Sequence, residues 1–317
     1  MSEWRPSADI TALGRRAQLL SEIRHFFAAR GVLEVDTPLL ASAPVTDPNI
    51  EAITAQSPSG EGQMYLQTSP EFTMKRLLAA GSGPIYQICK AFRRGERGRR
   101  HNPEFTMLEW YRPGMRLDAL IDEVVAVITL ASGSADVALL TYQKVFELHC
   151  HLNPHTASLA ELKVCARRHL DLGFDSDDRD LWLQLLMSSV VEPALDPTQI
   201  SIVYDFPETQ AALAKIAVNG DGHPVARRFE AFFAGMELAN GYDELRDANE
   251  LVRRIGDDHR RRGLSGQDLP PIDHYLLKAM PCLPECTGVA IGFDRLVMIA
   301  CKAERIDQVI AFPLERV

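Results

Sequence analysis

Neither of the common glycine-rich phosphate loops occurs in this chain. There is no G-x-G-x-x-G and no G-x-x-x-x-G-K-[ST], so any nucleotide it binds is held by another route. No apolar run approaches ~18 residues, which leaves no segment long enough for a helical membrane span. The first ten residues, MSEWRPSADI, contain no apolar stretch of the kind an export leader needs. Basic charge is in deficit: 34 lysines and arginines face 43 acids, for a formal net charge of −9. That balance argues against a general nucleic-acid binder, although it leaves room for a local basic site. Cysteine is sparse, and of Cys89, Cys150, Cys165, Cys282, Cys286 and Cys301 only Cys282 and Cys286 are close neighbours. One C-x3-C pair without a second pair is a weak zinc signal, so all six are expected as reduced thiols in a cytoplasmic protein.

What is present supports a large folded body. With 317 residues, 46% of them hydrophobic, the chain can bury a substantial core, and a single domain over 1–317 is expected. TALGRRAQLLSEIRHFFAARG has the apolar spacing of an amphipathic helix, with Thr11 placed to cap it and Gly31 to stop it. VLEVDTPLL reads as a strand ended by Pro38. MYLQTSPEFTMKRLLAAG reads as a strand breaking into a helix. Ser69 is placed as its cap, Pro70 in its first turn and Glu71 at its positive end. PIYQICKAFR and EFTMLEWYR are strands, the second alternating Phe105, Met107, Glu109 and Tyr111 on one side. A mostly helical insertion is expected over roughly 113–200. RRFEAFFAGMELANGYDEL then forms a hairpin turning near Gly235, and CTGVAIGFDRL runs from strand through glycine into helix. Strands in runs with long helical intervals point to an α+β fold with a largely antiparallel sheet.

Four features can carry chemistry, and each also has a plain structural reading. Arg93, Arg94, Arg97, Arg99 and Arg100 crowd one turn. A solvated loop accounts for most of them, while Arg93, adjoining an apolar strand, can grip phosphate or carboxylate with a planar fork. Glu230 and Glu237 flank the Gly235 turn, where they either share a hard cation such as Mg²⁺ or lie on an exposed hairpin edge. In GMELANGYDEL, Glu237, Asn240 and Glu244 sit among apolar and glycine residues, as turn formers or as receptors for an amine. In GVAIGFDRL, Gly288 and Gly292 permit close backbone approach, and Arg295 falls in the first turn of the next helix.

Taken in order, these stretches resemble the catalytic core of class II aminoacyl-tRNA synthetases, in the lysyl subgroup. GVLEVDTPLL is similar to motif 1, FRRGERGRRHNPEFTMLEWY to motif 2 and GVAIGFDRL to motif 3. TSPEFTMKRLL and ELANGYDEL are similar to the subgroup's amino-acid pocket segments. The resemblance covers roughly residues 12–317 and implies an antiparallel sheet of about six strands flanked by helices. No stretch corresponds to the subgroup's anticodon-binding domain, and Ala290 stands where the subgroup usually has glycine. Both departures resemble a truncated branch of the family that acylates a protein in place of tRNA.

That resemblance implies an ATP-dependent ligase. It would activate (R)-β-lysine or lysine as an adenylate and pass it to a lysine of elongation factor P, acting as a homodimer without tRNA or membrane. Arg93 would hold the α-phosphate and the substrate carboxylate, and Arg295 the γ-phosphate. Arg94, Gly95, Glu96, His101, Asn102, Phe105, Glu237, Leu238 and Gly292 would complete the ATP site, with Glu230 and Glu237 carrying Mg²⁺. In motif 2 the subgroup commonly has Glu where this chain has Gly95, with Glu96 one place later. Glu244 and Tyr111, supported by Glu109, would receive the far ammonium, and Glu71, beside Ser69 and Pro70, the nearer one. Asn240 would orient the carboxylate, and the Ala290 methyl would favour β-lysine over α-lysine. The rivals are a minimal lysyl-tRNA synthetase, an asparagine-synthetase-like ligase on the same core and a catalytically silent regulatory paralogue.

Overall fold

A computed structural model describes residues 4–60, 62–133 and 136–317. In chain order the elements are α1 (Ile10–Ala28), β1 (Leu33–Glu34), β2 (Leu40–Ala41), β3 (Thr54–Gln56), β4 (Gln63–Leu66), α2 (Glu71–Ala79), β5 (Ile85–Phe92) and β6 (Glu104–Pro113). Next come α3 (Leu117–Ser132), β7 (Asp136–Thr141), α4 (Tyr142–His149), α5 (Leu159–His169) and α6 (Arg179–Leu186). A π turn (Met187–Val191) leads to α7 (Glu192–Ala194), then β8 (Gln199–Pro207), β9 (Ile216–Val218), β10 (Pro224–Phe233) and β11 (Met236–Asp243). The chain closes with α8 (Ala248–Leu264), α9 (His274–Ala279), β12 (Cys286–Gly292) and α10 (Phe293–Cys301).

The single domain expected from sequence resolves into two compact units. One comprises Met1–Gly133 with Glu244–Val317, the other Ser134–Asp243. The expected insertion at 113–200 therefore starts too early and stops too soon, because β8 to β11 belong with the helices before them. Their apolar faces are the partners those helices need.

In the first unit the sheet order is β1-β5-β6-β12, with β1 parallel to β5 and the other pairs antiparallel. A small second sheet runs β2-β4-β3. Alternation along β5 and β6 divides the residues between two faces. Tyr86 and Trp110 are partners on one face, where Phe27 of α1 stacks on Tyr86 at 4.4 Å and meets Trp110 edge-on at 5.2 Å. All three rings are buried, and α1, α3 and α10 pack together over this side. Met107, Glu109 and Tyr111 point the opposite way, opposite Gly292, Ala290 and Gly288 of β12. Three acidic or bulky side chains thus face a stripe of small ones, and that difference in size opens the sheet's second face.

The second unit is built on β11-β10-β8-β7 with β9 against β10; β7 runs parallel to β8 and the rest of the pairs are antiparallel. Tyr142 and Phe146 of α4 stack at 4.5 Å, and Tyr142 meets Phe206 of β8 at 4.7 Å. Trp182, Leu183 and Leu186 of α6 complete this apolar cluster.

The fold is α+β with sheets flanked by helices, as expected, but the four strands of the first unit's larger sheet and the five of the second unit replace about six. The surplus is in short pieces such as β1 and β9. A two- or three-residue strand shows no period of two for a sequence to reveal. The strand expected through VLEVDTPLL shrinks to Leu33–Glu34 and Leu40–Ala41 for a related reason: Pro38 cannot donate to a ladder. Asp9, not Thr11, caps α1, accepting from Ala12 N at 2.7 Å. Helix α2 begins one residue late, with Pro70 at the cap position.

Candidate active site

Several residues expected to line an amino-acid pocket come together within the first unit. Ser69 donates its hydroxyl to Glu109 Oε2 at 2.7 Å, and Tyr111 donates to Oε1 at 2.6 Å. Both oxygens of Glu109 are thereby engaged, which makes it an anchor for its neighbours. Ser69 Oγ also accepts from Glu71 N at 3.1 Å, tying the start of α2 to β6. Burial, with the Glu71 charge adding, lifts the Glu109 carboxyl to about 7 despite the Tyr111 and Ser69 hydrogen bonds. The Tyr111 hydroxyl is pushed well above its ordinary value by burial and by Glu109, so it stays protonated.

Glu244 is 1% exposed and stands just past β11, held by its backbone N–H to Cys286 O at 3.0 Å. Lys75, which sequence analysis assigned no role, lies between two of the pocket acids. Its Nζ is 2.5 Å from Glu71 Oε1 and 2.6 Å from Glu244 Oε2. Both Glu244 oxygens are buried without a hydrogen-bond partner of good geometry; Oε2 is held by the Lys75 ion pair, and Oε1 has no such pair. Burial, opposed by Lys75 and reinforced by Glu71 and Glu109, raises the Glu244 carboxyl to about 8. Burial works against the Lys75 charge as well, but Glu244 and Glu71 outweigh it and hold the proton more tightly than in an ordinary lysine.

Gly288 has a different use from the one expected. A Cβ there would collide with the Tyr111 ring and with Glu244 Oε1, so this glycine makes room for the pocket's own side chains, not for a ligand's approach. Ala290 is the register partner of Glu109 and presents its methyl on the pocket face. At Gly292 a Cβ would meet only the Arg295 side chain, at ordinary contact distance.

The arginine turn follows β5. Arg93 keeps 24% of its side chain exposed, against 66% for Arg94, 63% for Arg97 and 69% for Arg99, so it is the one packed against the strand. Its guanidinium lies 5.1 Å from the centre of the Phe105 ring, with Nε donating to Thr68 O at 3.4 Å and Nη1 to Glu96 at 3.4 Å. Gly95 has φ +80°, a conformation that disfavours any side chain, which explains the glycine in that slot. Arg94, Arg97 and Arg99 pair with Glu51, Glu315 and Glu304 at the surface. Arg295 Nη2 lies 2.6 Å from His101 Nε2 and its Nε donates to Arg100 O at 3.5 Å. Asn102 uses both ends of its amide on the backbone, donating to Glu104 O at 2.6 Å and accepting from Leu314 N at 3.1 Å. Behind Arg295, the buried Asp294 accepts from Arg16 at 2.5 Å and from Thr106 N at 2.7 Å, fixing the first turn of α10 to β6.

Glu230, Glu237, Leu238 and Asn240 belong to the second unit. The hairpin turns through Ala234 and Gly235, both at positive φ, as a two-residue turn of this hand requires. Glu230 pairs with Asn240 and Phe232 with Glu237, so Leu238 is an extra residue in β11. That bulge returns Glu237 to the face of Glu230 and Asn240; regular alternation would turn it away. Arg228 donates to Glu230 Oε1, to Asn240 Oδ1 at 3.2 Å and to Gln210 O at 2.8 Å. Asn240 Nδ2 donates to the same Glu230 oxygen at 3.4 Å. Burial lifts Glu230 to about 8, with Arg228 opposing and Glu237 adding to the rise. Among the described residues no three His, Cys, Asp or Glu side chains converge as a metal cage. Mg²⁺ fits this donor set all the same, since it takes one or two carboxylates and completes its shell with phosphate and water.

Sequence reasoning missed Lys75 and Arg228. Arg228 was discoverable, because on a strand it shares a face with Glu230 two residues on. Lys75 gave half a signal: four residues after Glu71 it reads as a surface ion pair, with no hint of Glu244.

Comparison with known proteins bears on both units. The family model of class II tRNA synthetases (D, K and N) matches residues 5–316. A protein named elongation factor P–(R)-beta-lysine ligase in Erwinia tasmaniensis is 48% identical to this chain, across 99% of it and 98% of its own length. Proteins of the same name in Sodalis glossinidius and Mannheimia succiniciproducens are 47% and 46% identical, over 99% and 98% of this chain and 98% and 97% of their own lengths.

Proposed function

The chain belongs to the class II tRNA synthetases of the D, K and N type, and from that premise we propose that it is an ATP-dependent ligase for (R)-β-lysine, with elongation factor P as acceptor. The single observation that carries this reading is the acid-lined pocket. Glu71, Glu109 and Glu244 surround one buried lysine, and Glu244 Oε1 has no partner. A lone buried carboxylate oxygen is costly unless a donor reaches it, and a substrate ammonium is such a donor.

The proposed reaction needs no general base at its first step, because a substrate carboxylate is ionised near neutral pH. Attack on the α-phosphorus of ATP forms the aminoacyl-adenylate and releases pyrophosphate. Like charge on the two reactants is the obstacle, and fixed positive charge is the remedy. Arg93 supplies it at the α-phosphate, with Phe105 and the Glu96 carboxylate limiting how its fork can turn. Arg295 supplies it at the far end of the triphosphate, its base held through Asp294. Glu230 and Glu237 would hold Mg²⁺, which when bound would neutralise phosphate charge. In the second step the ε-amine of a lysine on elongation factor P attacks the adenylate carbonyl, an amide forms and AMP leaves.

Glu244 with the Tyr111 oxygen receives the far ammonium. Glu71 receives the nearer one, and Ala290 narrows the face beside Glu109. We propose a homodimer in the cytoplasm that does not require tRNA. Intact-mass measurement of elongation factor P after incubation with enzyme, ATP and β-lysine tests the reading. One added lysyl mass on a single site is expected. An unmodified acceptor alongside aminoacylated tRNA would replace the proposal with a minimal lysyl-tRNA synthetase.

A further inference from the structure

Lys75 is 2% exposed, one of the least accessible charged groups in the described chain, and no step of the proposed reaction uses it. Burying a lysine is unfavourable unless its charge is matched. Here the match comes from two directions. Glu71 lies one turn earlier on the same helix, while Glu244 arrives from a segment 169 positions away in sequence.

A lysine kept only to stabilise α2 would need Glu71 alone. Bridging to Glu244 does something further. It ion-pairs with Oε2 of that carboxylate, while Oε1, beside Gly288, has neither an ion pair nor a hydrogen-bond partner. It also adjusts the charge. With Glu71, Glu109 and Glu244 all ionised, three carboxylates less one ammonium leave two negative charges, the number that a diamino acid's two ammonium groups neutralise.

Resting on the ligase reading above, we infer that Lys75 is a positioning residue: a resident ammonium that holds Glu71 and Glu244 in place and leaves the pocket short of two positive charges, so that it selects doubly cationic amino acids. Substrate and Lys75 then act as three cations among three acids. Without Lys75, Glu71 and Glu244 either repel or take up a proton, and a protonated carboxyl no longer pairs with ammonium.

The test is ATP–pyrophosphate exchange with β-lysine for wild type, Lys75→Met and Lys75→Gln, with thermal melting of each. Gln keeps hydrogen-bond donors for both acids without the charge, and so provides a folded variant should Met not. Loss of a buried matched charge predicts a β-lysine KM higher by roughly 30-fold or more in the uncharged variants, with the ATP KM unchanged. In Lys75→Ala, added propylammonium is expected to lower the β-lysine KM again, and propanol of similar size is not. A purely structural lysine would lower the melting midpoint without that KM split, and propanol would serve as well as propylammonium; either result overturns the inference. Wild-type enzyme that exchanges with no diamino acid overturns both this inference and the ligase reading. Normal wild-type exchange with an unaltered β-lysine KM in both uncharged variants overturns the role of Lys75 alone.

Discussion

Two sets of acids, one in each unit, are each built around a buried carboxylate paired with a basic residue, and the two use different cations. In the first, Lys75 bridges acids contributed by α2 and by the segment after β11. In the second, Arg228 sits on the same strand as Glu230 and spreads its fork over Glu230, Asn240 and the Gln210 carbonyl. A lysine is a compact point charge, so it can satisfy one oxygen of Glu244 and leave the other for a ligand. An arginine fork fixes several acceptors in one plane, which suits a rigid carboxylate pair presented to a metal. The first arrangement is tertiary and the second is local to a hairpin; in the proposed function the first receives an ammonium and the second a hard cation.

The sharpest way to break that contrast is at the acids themselves. Glu244→Gln removes the unpartnered receptor and strands Lys75, and is expected to lower β-lysine activation by about 100-fold or more. Glu237→Gln should act differently, raising the Mg²⁺ needed for half-maximal exchange by about 10-fold while leaving the amino-acid KM nearly unchanged. If both substitutions raise the same KM, the division of labour between the two sets is wrong.

A second, smaller effect is in pH. Glu109 and Glu244 have an ordinary carboxyl value of 4.5 but stand at about 7 and about 8 in the fold, chiefly through burial. Between those values the folded chain keeps protons that an unfolded chain releases. Stability of the ligand-free protein is therefore greatest at the acid end of this window and falls as pH rises through 7 to 8. Melting curves should show that decline, and β-lysine should flatten it by supplying the missing cations. Substrate binding runs the opposite way, since only ionised acids pair with ammonium. The amino-acid KM should fall over the same interval, and a KM that rises there would contradict the pocket assignment.

The mildest change is Ala290→Gly, which removes one methyl beside Glu109. A difference of that size shifts discrimination by about 10-fold, here towards α-lysine, measured as the ratio of kcat/KM for the two substrates. An unchanged ratio would leave the preference for β-lysine without a structural cause.

Much of the site could be read in advance, for reasons that differ along the chain. Glu109 and Tyr111 alternate on a long regular strand, so their common face follows from a period of two. Arg93 was separable from its neighbours because an apolar strand precedes it, and it is indeed the least exposed of the four measured. Glu237 was expected beside Glu230 on incomplete grounds, since a regular hairpin would have turned it away and only the extra residue Leu238 returns it to the same face. Gly288 was assigned to a ligand because a sequence shows that a side chain is missing, not what fills the space. The division into two units escaped notice, since helices and strands of one compact body are separated in the sequence by ordinary turns.

By itself the sequence determined the longer elements and which chemical groups they carry: alternation along the long strands, the acid and arginine positions and their order along the chain follow from local spacing. Only the tertiary structure decided that Lys75 stands between Glu71 and Glu244, that Tyr111 lies over Gly288, and that the Glu244 carboxylate is buried beside both. The physical reason is range. Backbone periodicity acts over a few residues, whereas the pairing of a buried charge depends on which distant segment the packed sheet brings beside it.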